Sequence, residues 1–289
     1  MTALAPPPIG KSAHQIANMQ LVPRRHYGRI VASVVIIVLL LAFARALSKS
    51  QIEWSYVRQF LTAPVILSGL AHTLLMTVCA MLLGIGLGVV FAIMRVSPNP
   101  VLRSVAMGYI FLFRGAPALL QLLLWFNLAL IFPTIGIPGL FEFRTVDLMT
   151  PFVAAMLGLG IQQGAYTAEV VRGGLLAVDS GQYEAARAIG MTQFQMLRRI
   201  VLPQAMRVIV PPVGNEVIGM VKLTSLASVI QYDEILHNAQ IIYFANSRVL
   251  ELLIVASIWY LFAVSLLSIG QYYIERHFGR GATALRTGV

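Results

Sequence analysis

Long uncharged apolar runs dominate this sequence and limit what it can fold into. Apolar residues make up 58% of the 289 residues, whereas charged residues make up only 11%. A soluble domain usually carries about 25% charged residues, and a helix that crosses a bilayer needs roughly 20 apolar ones. The composition therefore excludes a soluble protein and predicts an all-α integral membrane protein with several spans.

Six spans are predicted from the apolar runs. Their approximate ranges are 30–47, 64–94, 101–132, 149–171, 208–231 and 250–274. Several are longer than one crossing requires, so we expect them to tilt or break. The first run has the alternative of a cleaved signal peptide, with a small-residue site in "ARAL". Glycine pairs, Gly84 with Gly88 and Gly160 with Gly164, predict close helix packing.

Basic residues set the expected orientation. The formal charge is +10, and most of the 21 Lys and Arg residues fall on one side of the predicted spans. The positive-inside rule puts that side, and both termini, in the cytoplasm. Between the first two spans, residues 51–60 are amphipathic with Trp54 and Tyr56, which predicts an interfacial helix. No basic face carries interleaved aromatics, so nucleic acid is not an expected partner.

Motifs for catalysis and cofactors are missing from the sequence. "IGKS" at 9–12 resembles half of an ATP-binding loop, but Ala5 stands where its first glycine belongs. The single cysteine, Cys79, excludes an intramolecular disulfide and a Cys-rich metal site. We therefore expect no enzyme activity, cofactor or metal in this chain. If it moves a solute uphill, the energy comes from an ion gradient or from another protein.

The polar segment 179–203, "DSGQYEAARAIGMTQFQMLRRIVLP", predicts two short helices. Asp179 or Ser180 can cap the first, and Gly190 can end it in the left-handed conformation. Thr192 and Gln195 form a capping box for the second, which Pro203 is expected to close or kink. An apolar stripe for burial on a neighbouring helix is expected at Phe194, Leu197, Ile200 and Val201.

The first of these two helices suits a contact with another protein. Ala185 and Ala186 are small enough for another backbone to approach, and Glu184 and Arg187 offer polar anchors. Taken by itself, the segment is equally well a helical loop with no partner.

The spacing within this segment resembles the EAA loop of ATP-binding-cassette importer permeases. The positions that match are Glu184, Ala185, Ala186, Gly190, Ile200, Leu202 and Pro203. In that family the loop is a coupling helix that docks into a groove on a cytoplasmic ATPase. The resemblance covers about residues 66–275. It includes "YIFLFRGAPALLQLLLWF" (109–126) and "PPVGNEVIGMVKLTSLASVI" (211–230), which look like the polar amino-acid subfamily of histidine, glutamine and arginine permeases.

This resemblance implies a type I importer transmembrane domain, with a five-helix core plus one extra N-terminal transmembrane helix. The implied division is a cytoplasmic tail at 1–29, an extra span and periplasmic interfacial segment at 30–63, a core at 64–275 with the EAA loop at 179–203, and a cytoplasmic tail at 276–289. Periplasmic loops are then expected at about 48–63, 133–148 and 232–249.

The same resemblance implies the partners. They are a second permease subunit (a copy or a paralogue), two cytoplasmic ATPase subunits that hold ATP and Mg, and a periplasmic solute-binding protein that delivers an amino acid. The location implied is the bacterial cytoplasmic (inner) membrane, among lipid.

Polar residues inside the spans are candidates for the substrate pathway. Lys222 falls near mid-span, where a lysine costs about 2.5–3.5 kcal/mol, so we expect it to face a polar cavity. Glu216 lies about 120° away around the helix. The two either border one cavity, with Asn215, Thr224 and Ser225 nearby, or belong to a Lys–Glu pair that sets helix register.

Other polar positions have equally open interpretations. Arg114, next to Gly115 and Pro117, predicts a helix break that either lines the pathway or sits near an interface. Gln121 is a further pathway candidate and, like Gln162 and Gln163, serves equally well in bonds between helices. Glu169 and Arg172 can pair at i and i+3, as a hinge beside the coupling loop.

Two other functions fit parts of the sequence. An ion-coupled secondary amino-acid transporter would use Lys222 and Glu216 as an ion site, but it does not explain the spaced coupling segment. A non-transporting scaffold would use that segment only to hold a soluble partner.

Overall fold

The structure, a computed structural model, describes residues 27–48, 52–137 and 141–278. It divides into two units, with the boundary between Ile52 and Glu53. In the first unit, helix α1 runs from Tyr27 to Ser48. Its first three residues, 27–29, belong to the expected N-terminal tail, and the remainder of that tail lies outside the described residues. The helix covers the range of the first predicted span.

The described residues of the second unit form helices and one hairpin. Its helices are α2 (Trp54–Leu61), α3 (Pro64–Val96), α4 (Pro100–Gly115), α5 (Ala118–Phe126), α6 (Thr145–Leu148), α7 (Pro151–Leu176), α8 (Ser180–Ala188), α9 (Gln193–Met196), α10 (Leu202–Leu223), α11 (Ile235–Asn246) and α12 (Val249–Phe278). A π-helical turn at Leu197–Val201 joins α9 to α10, and a 3-10 helix at Thr224–Ile230 follows α10.

Three described helical segments are long and apolar enough to cross a membrane. They are Pro64–Val96, Gln193–Ile230 and Val249–Phe278, and the bent pair α4–α5 makes a fourth if it counts as one span. The predicted span 149–171 corresponds to α7, which is 26 residues long but carries Gln162 and Gln163. Its crossing of the membrane remains a prediction from sequence.

Helices α3 and α7 form the centre of the unit, and glycines allow their close approach. A Cβ added at Gly88 of α3 would lie 2.7 Å from the Thr167 Cβ of α7. One added at Gly160 of α7 would lie 2.8 Å from the Leu83 Cδ2 of α3. The predicted close packing through glycine pairs is confirmed, because neither position has room for a side chain.

The predicted span 101–132 is broken, as Gly115 and Pro117 indicated. Helices α4 and α5 meet at 102°. Proline disfavours helical geometry in the residue before it, and Ala116 is extended with ψ 140°. The buried Gln121 side chain supports the break: its Nε2 donates to the carbonyl oxygens of Phe113 and Ala116, at 3.0 and 2.9 Å. The amide therefore satisfies acceptors that the broken helix leaves free.

Two of the three expected loops contain more structure than predicted. Residues 133–148 include an antiparallel hairpin of β1 (Thr134–Ile137) and β2 (Phe141–Arg144). Residues 232–249 contain α11, and their periplasmic location stays a prediction. The Glu234 carboxylate caps that helix by accepting hydrogen bonds from the backbone N–H groups of Leu236 and His237, at 2.9 and 2.7 Å. Helix α11 packs on α3 and α12 with Ile235 fully buried.

The helix predicted at 51–60 is confirmed as α2, and its place at the membrane interface stays a prediction. The Arg248 guanidinium binds the Glu53 carboxylate at 2.5 Å and lies 4.6 Å from the ring centre of Tyr56. The Trp259 indole donates to the Leu61 carbonyl oxygen at 2.8 Å. Contacts at both of its ends therefore fix α2 against α12 and the residue that precedes it.

Candidate functional site

The segment 179–203 forms a compact elbow at the edge of the helical unit. Asp179 Oδ1 accepts a hydrogen bond from the Gly181 N–H at 2.8 Å and caps α8, which begins at Ser180. Gly190 has φ +75°, and the Met191 N–H donates to the Ala186 carbonyl oxygen at 3.1 Å. The predicted cap at Asp179 and the left-handed turn at Gly190 are both confirmed.

A capping box begins the second part of the elbow, as predicted. The Gln195 N–H donates to Thr192 Oγ1 at 3.3 Å, and the Thr192 N–H donates to Gln195 Oε1 at 3.0 Å. Two backbone donors that the helix start leaves free are thereby satisfied by two side chains of the same segment.

Of the two alternatives predicted for Pro203, an end of the helix or a kink in it, the end is wrong. A π-helical turn at 197–201 carries the chain from α9 directly into α10, and Pro203 falls in the first turn of α10. The Leu202 N–H donates to the Leu197 carbonyl oxygen, five residues back, so the π turn carries the helix past Pro203, which has no N–H to donate. The elbow is therefore continuous with a 38-residue helical segment, Gln193–Ile230.

The expected apolar stripe is only half buried. Val201 is 1% exposed and packs with Met196 and Ala205, and Ile200 packs against this cluster. Phe194 and Leu197 are 70% and 45% exposed, which contradicts their predicted burial. Leu197, Ile200 and Val201 lie in the π turn, whose wider winding does not keep the α-helical spacing on which the stripe was predicted.

Most of the EAA positions are open to solvent. Glu184, Ala185, Gly190, Leu202 and Pro203 are exposed, Ile200 is partly buried, and Ala186 is buried within the elbow. Ile189, which the sequence analysis did not single out, is 75% exposed near Phe194 in the chain. The elbow thus offers small, apolar and acidic side chains on one protruding piece of helical structure.

Further along the same continuous helix, Glu216 faces α7. Its Oε2 accepts a hydrogen bond from the Thr167 hydroxyl at 2.7 Å, and the Gln163 Nε2 donates to Thr167 Oγ1 at 3.2 Å. The Glu216 side chain is partly buried. Glu216 and Gln163 are candidates from sequence, whereas Thr167 is not, because a threonine within a helix carries no local signal of a partner on another helix.

The neighbours of Glu216 along the chain take other roles. Within the described parts of the chain Lys222 is exposed and makes no ion pair, so a register pair between Lys222 and Glu216 is not formed. Thr224 and Ser225 donate to the carbonyl oxygens of Val221 and Lys222, both at 2.7 Å. These bonds follow the turn from α10 into the 3-10 helix. Asn215 faces α12 and donates to Glu275 at 3.1 Å.

Arg114 borders an open cavity of about 580 Å³ beside the helix break. Arg95, Tyr166 and Glu169 line the same cavity, and the Arg114 guanidinium lies 5.1 Å from the ring centre of Tyr166. The predicted pairing of Glu169 with Arg172 is confirmed, with 2.6 Å between Oε2 and Nη2. Its function as a hinge, and that of Arg114 in the pathway, stay predictions.

Residues 80–280 match the family described as the binding-protein-dependent transport system inner membrane component. The chain belongs to this family. It is similar to the arginine transport system permease protein ArgU of Corynebacterium glutamicum, with 40% identity over 281 residues that cover 96% of this chain and 89% of ArgU. This likeness extends beyond residues 66–275. The L-cystine transport system permease protein TcyB of Bacillus subtilis is 36% identical, over 79% of this chain and 92% of TcyB.

Solved structures agree with this assignment. The chain resembles one from the crystal structure of an amino acid ABC transporter with histidines, with a TM-score of 0.67, 34% identity and coverage of 77% of this chain and 98% of that one. A chain of the inward-facing MetNI methionine ABC transporter has a TM-score of 0.55 at 20% identity, and it shows the shared fold. The protein is thus an all-α ABC importer permease subunit, not an enzyme, and the ATPase is a separate protein.

Proposed function

We propose that this chain carries a polar amino acid across the bacterial inner membrane, with the coupling elbow (residues 179–203) as its contact with the ATPase. One observation carries the proposal. The helical segment Gln193–Ile230 runs without interruption from the exposed elbow to Glu216 in the helical core. A force applied at the elbow therefore acts on the same helix that presents the acidic group.

The chemistry of Glu216 supports a substrate with a cationic group. Its carboxylate keeps lone pairs beyond the one that Thr167 uses, and it is only partly buried. An α-amino or guanidinium group is a complementary partner for such a carboxylate. The names of relatives, which include arginine, cystine and nopaline permeases, are consistent with an amino-acid substrate. Lys222 is our candidate for the α-carboxylate.

The proposed complex contains two permease subunits, identical or paralogous, and two ATPase subunits that bind ATP and Mg. A periplasmic binding protein delivers the substrate to the side of the hairpin and α11. Both termini of the permease lie in the cytoplasm, and α1 adds a span before the core. When the ATPases close on ATP, they draw the two elbows together. This movement shifts the substrate pathway between the permease subunits from inward-open to outward-open.

The test is uptake by the complex reconstituted in vesicles with its ATPase and binding protein. We expect uptake to require the binding protein and to be blocked by vanadate but not by a protonophore. Glu184→Lys and Gly190→Asp should abolish uptake and co-purification of the ATPase while membrane insertion persists. Normal uptake and co-purification in both variants would overturn the coupling assignment.

A further inference from the structure

A closed ring of hydrogen bonds joins α10 to α12 next to Glu216. Two side-chain amides donate and two oxygens accept. Asn215 Nδ2 donates to the Pro211 carbonyl oxygen at 3.3 Å and to Glu275 Oε1 at 3.1 Å. Gln271 Nε2 donates to the same two oxygens, both at 2.8 Å. Each helix contributes a pair of residues one turn apart, and these pairs face each other.

The ring lies at the two prolines inside α10. Pro211 and Pro212 lie inside the helix and lack the N–H that an internal residue donates to the preceding turn. The Gln271 amide supplies a donor to the Pro211 carbonyl oxygen from outside the helix. The carbonyl oxygens that these prolines leave without a helical donor are those of Arg207 and Val208, one turn earlier. The Gln271 bond is therefore an added contact from α12 at the prolines and does not replace the lost helical bonds.

The two helices fit closely at the ring. Gln271 is 6% exposed, although it lies in a helix of otherwise mainly apolar residues. A Cβ added at Gly214 would lie 1.8 Å from Gln271 Oε1, so the Gln271 amide occupies the space that any larger residue at position 214 needs. Gly214 therefore lets the Gln271 amide approach the α10 backbone, and no other ordinary residue would.

The ring lies between the elbow and Glu216 on one continuous helix. Asn215 and Glu216 are consecutive and point about 100° apart, toward α12 and α7. The same turn of α10 is therefore bonded to α12 through Asn215 and to α7 through Glu216. If the ring opens, the turn that carries Glu216 loses one of these two supports, while the elbow and its ATPase contacts are unchanged.

We propose that Gln271 and Glu275 are positioning residues that hold α10 at its paired prolines and so transmit movement of the elbow to Glu216. This inference rests on the proposed function of the elbow and of Glu216. The ring makes the two parts of α10 move as one body. Without the ring, the elbow still moves with each cycle of the ATPase, but this movement does not reach Glu216. ATP is then hydrolysed without transport.

The experiment measures uptake per ATP hydrolysed in the reconstituted complex for Gln271→Leu, Glu275→Ala and Glu275→Gln. Gln271→Leu and Glu275→Ala should lower this ratio about fivefold or more, with the ATPase still co-purifying. Glu275→Gln should stay close to the wild type, because its amide oxygen still accepts both bonds. Ser268→Ala, exposed on the same helix, is the matched control.

A second variant reaches the ring without changing its polar groups. Gly214→Ala displaces Gln271 and should also lower uptake per ATP. The inference is overturned if assembled Gln271→Leu couples as the wild type does, or if Glu275→Gln falls as far as Glu275→Ala. If Gln271→Leu does not assemble, the two Glu275 variants decide. Absence of binding-protein-dependent uptake in the wild type would instead contradict the proposed function.

Discussion

The Glu216 carboxylate on α10 accepts a hydrogen bond from the Thr167 hydroxyl on α7 at 2.7 Å. This bond holds the acidic group toward the central helix while leaving it partly accessible. Charge and hydrogen bonding at this position can be separated by substitution, because glutamine keeps the acceptor oxygen and removes the charge.

Glu216→Gln should therefore lower amino-acid uptake about tenfold or more with little loss of stability, since an ion pair with the substrate becomes a neutral hydrogen bond. Initial uptake rates in reconstituted vesicles measure this. Thr167→Ser, which keeps the hydroxyl, is the control and should transport normally. Unchanged uptake in Glu216→Gln would remove this residue from the substrate pathway.

Gln121→Leu should destabilise the permease by about 1–3 kcal/mol, because the carbonyl oxygens of Phe113 and Ala116 lose their donor at the helix break. Thermal unfolding in detergent measures the change. Asn127→Leu is the control: its amide donates to the Leu123 carbonyl oxygen but is exposed, so water can replace it. A Gln121→Leu protein that is fully stable yet fails to transport would favour the pathway function for Gln121.

Gly88→Ala should destabilise the α3–α7 contact by about 1–3 kcal/mol, since the new methyl group would collide with Thr167. Gly86→Ala, two residues earlier on the same helix, meets nothing within 4 Å and should be neutral. The two variants differ only in what lies beside the added carbon. Equal thermal unfolding midpoints would contradict the close packing of these helices.

Thr192→Ala should weaken binding of the ATPase about fivefold, because loss of the capping box costs about 1 kcal/mol and frays the start of α9. Titration of the ATPase onto permease in nanodiscs measures the affinity. Thr192→Ser keeps the cap and should bind as the wild type does. If both variants bind equally well, a rigid α9 is not needed for the contact.

Features that depend on neighbouring residues could be read from the sequence. The Asp179 cap, the left-handed Gly190, the Thr192–Gln195 box and the Glu169–Arg172 pair each involve residues at most three apart. The break before Pro117 is equally local, because proline restricts the residue that precedes it. Apolar run length also predicted the positions of α3 and α12.

Contacts between distant segments could not be predicted in this way. Asn215 and Glu275 are 60 positions apart, and Glu216 and Thr167 are 49 apart, so no spacing rule relates them. The burial of α11 depends on its packing against α3 and α12, so the sequence does not predict this helix within 232–249. Phe194 and Leu197 are exposed although regular helical spacing predicted them in a buried stripe, because the π turn at 197–201 departs from that spacing.

The sequence by itself thus determined a helical membrane protein, the local form of its elbow and the family it resembles, because apolar length, capping and turn chemistry act over a few residues. Only the tertiary structure decided which side chains meet across α7, α10 and α12. Those contacts form where close packing brings helices together, and a polar side chain buried there takes whatever donor or acceptor the neighbouring helix presents.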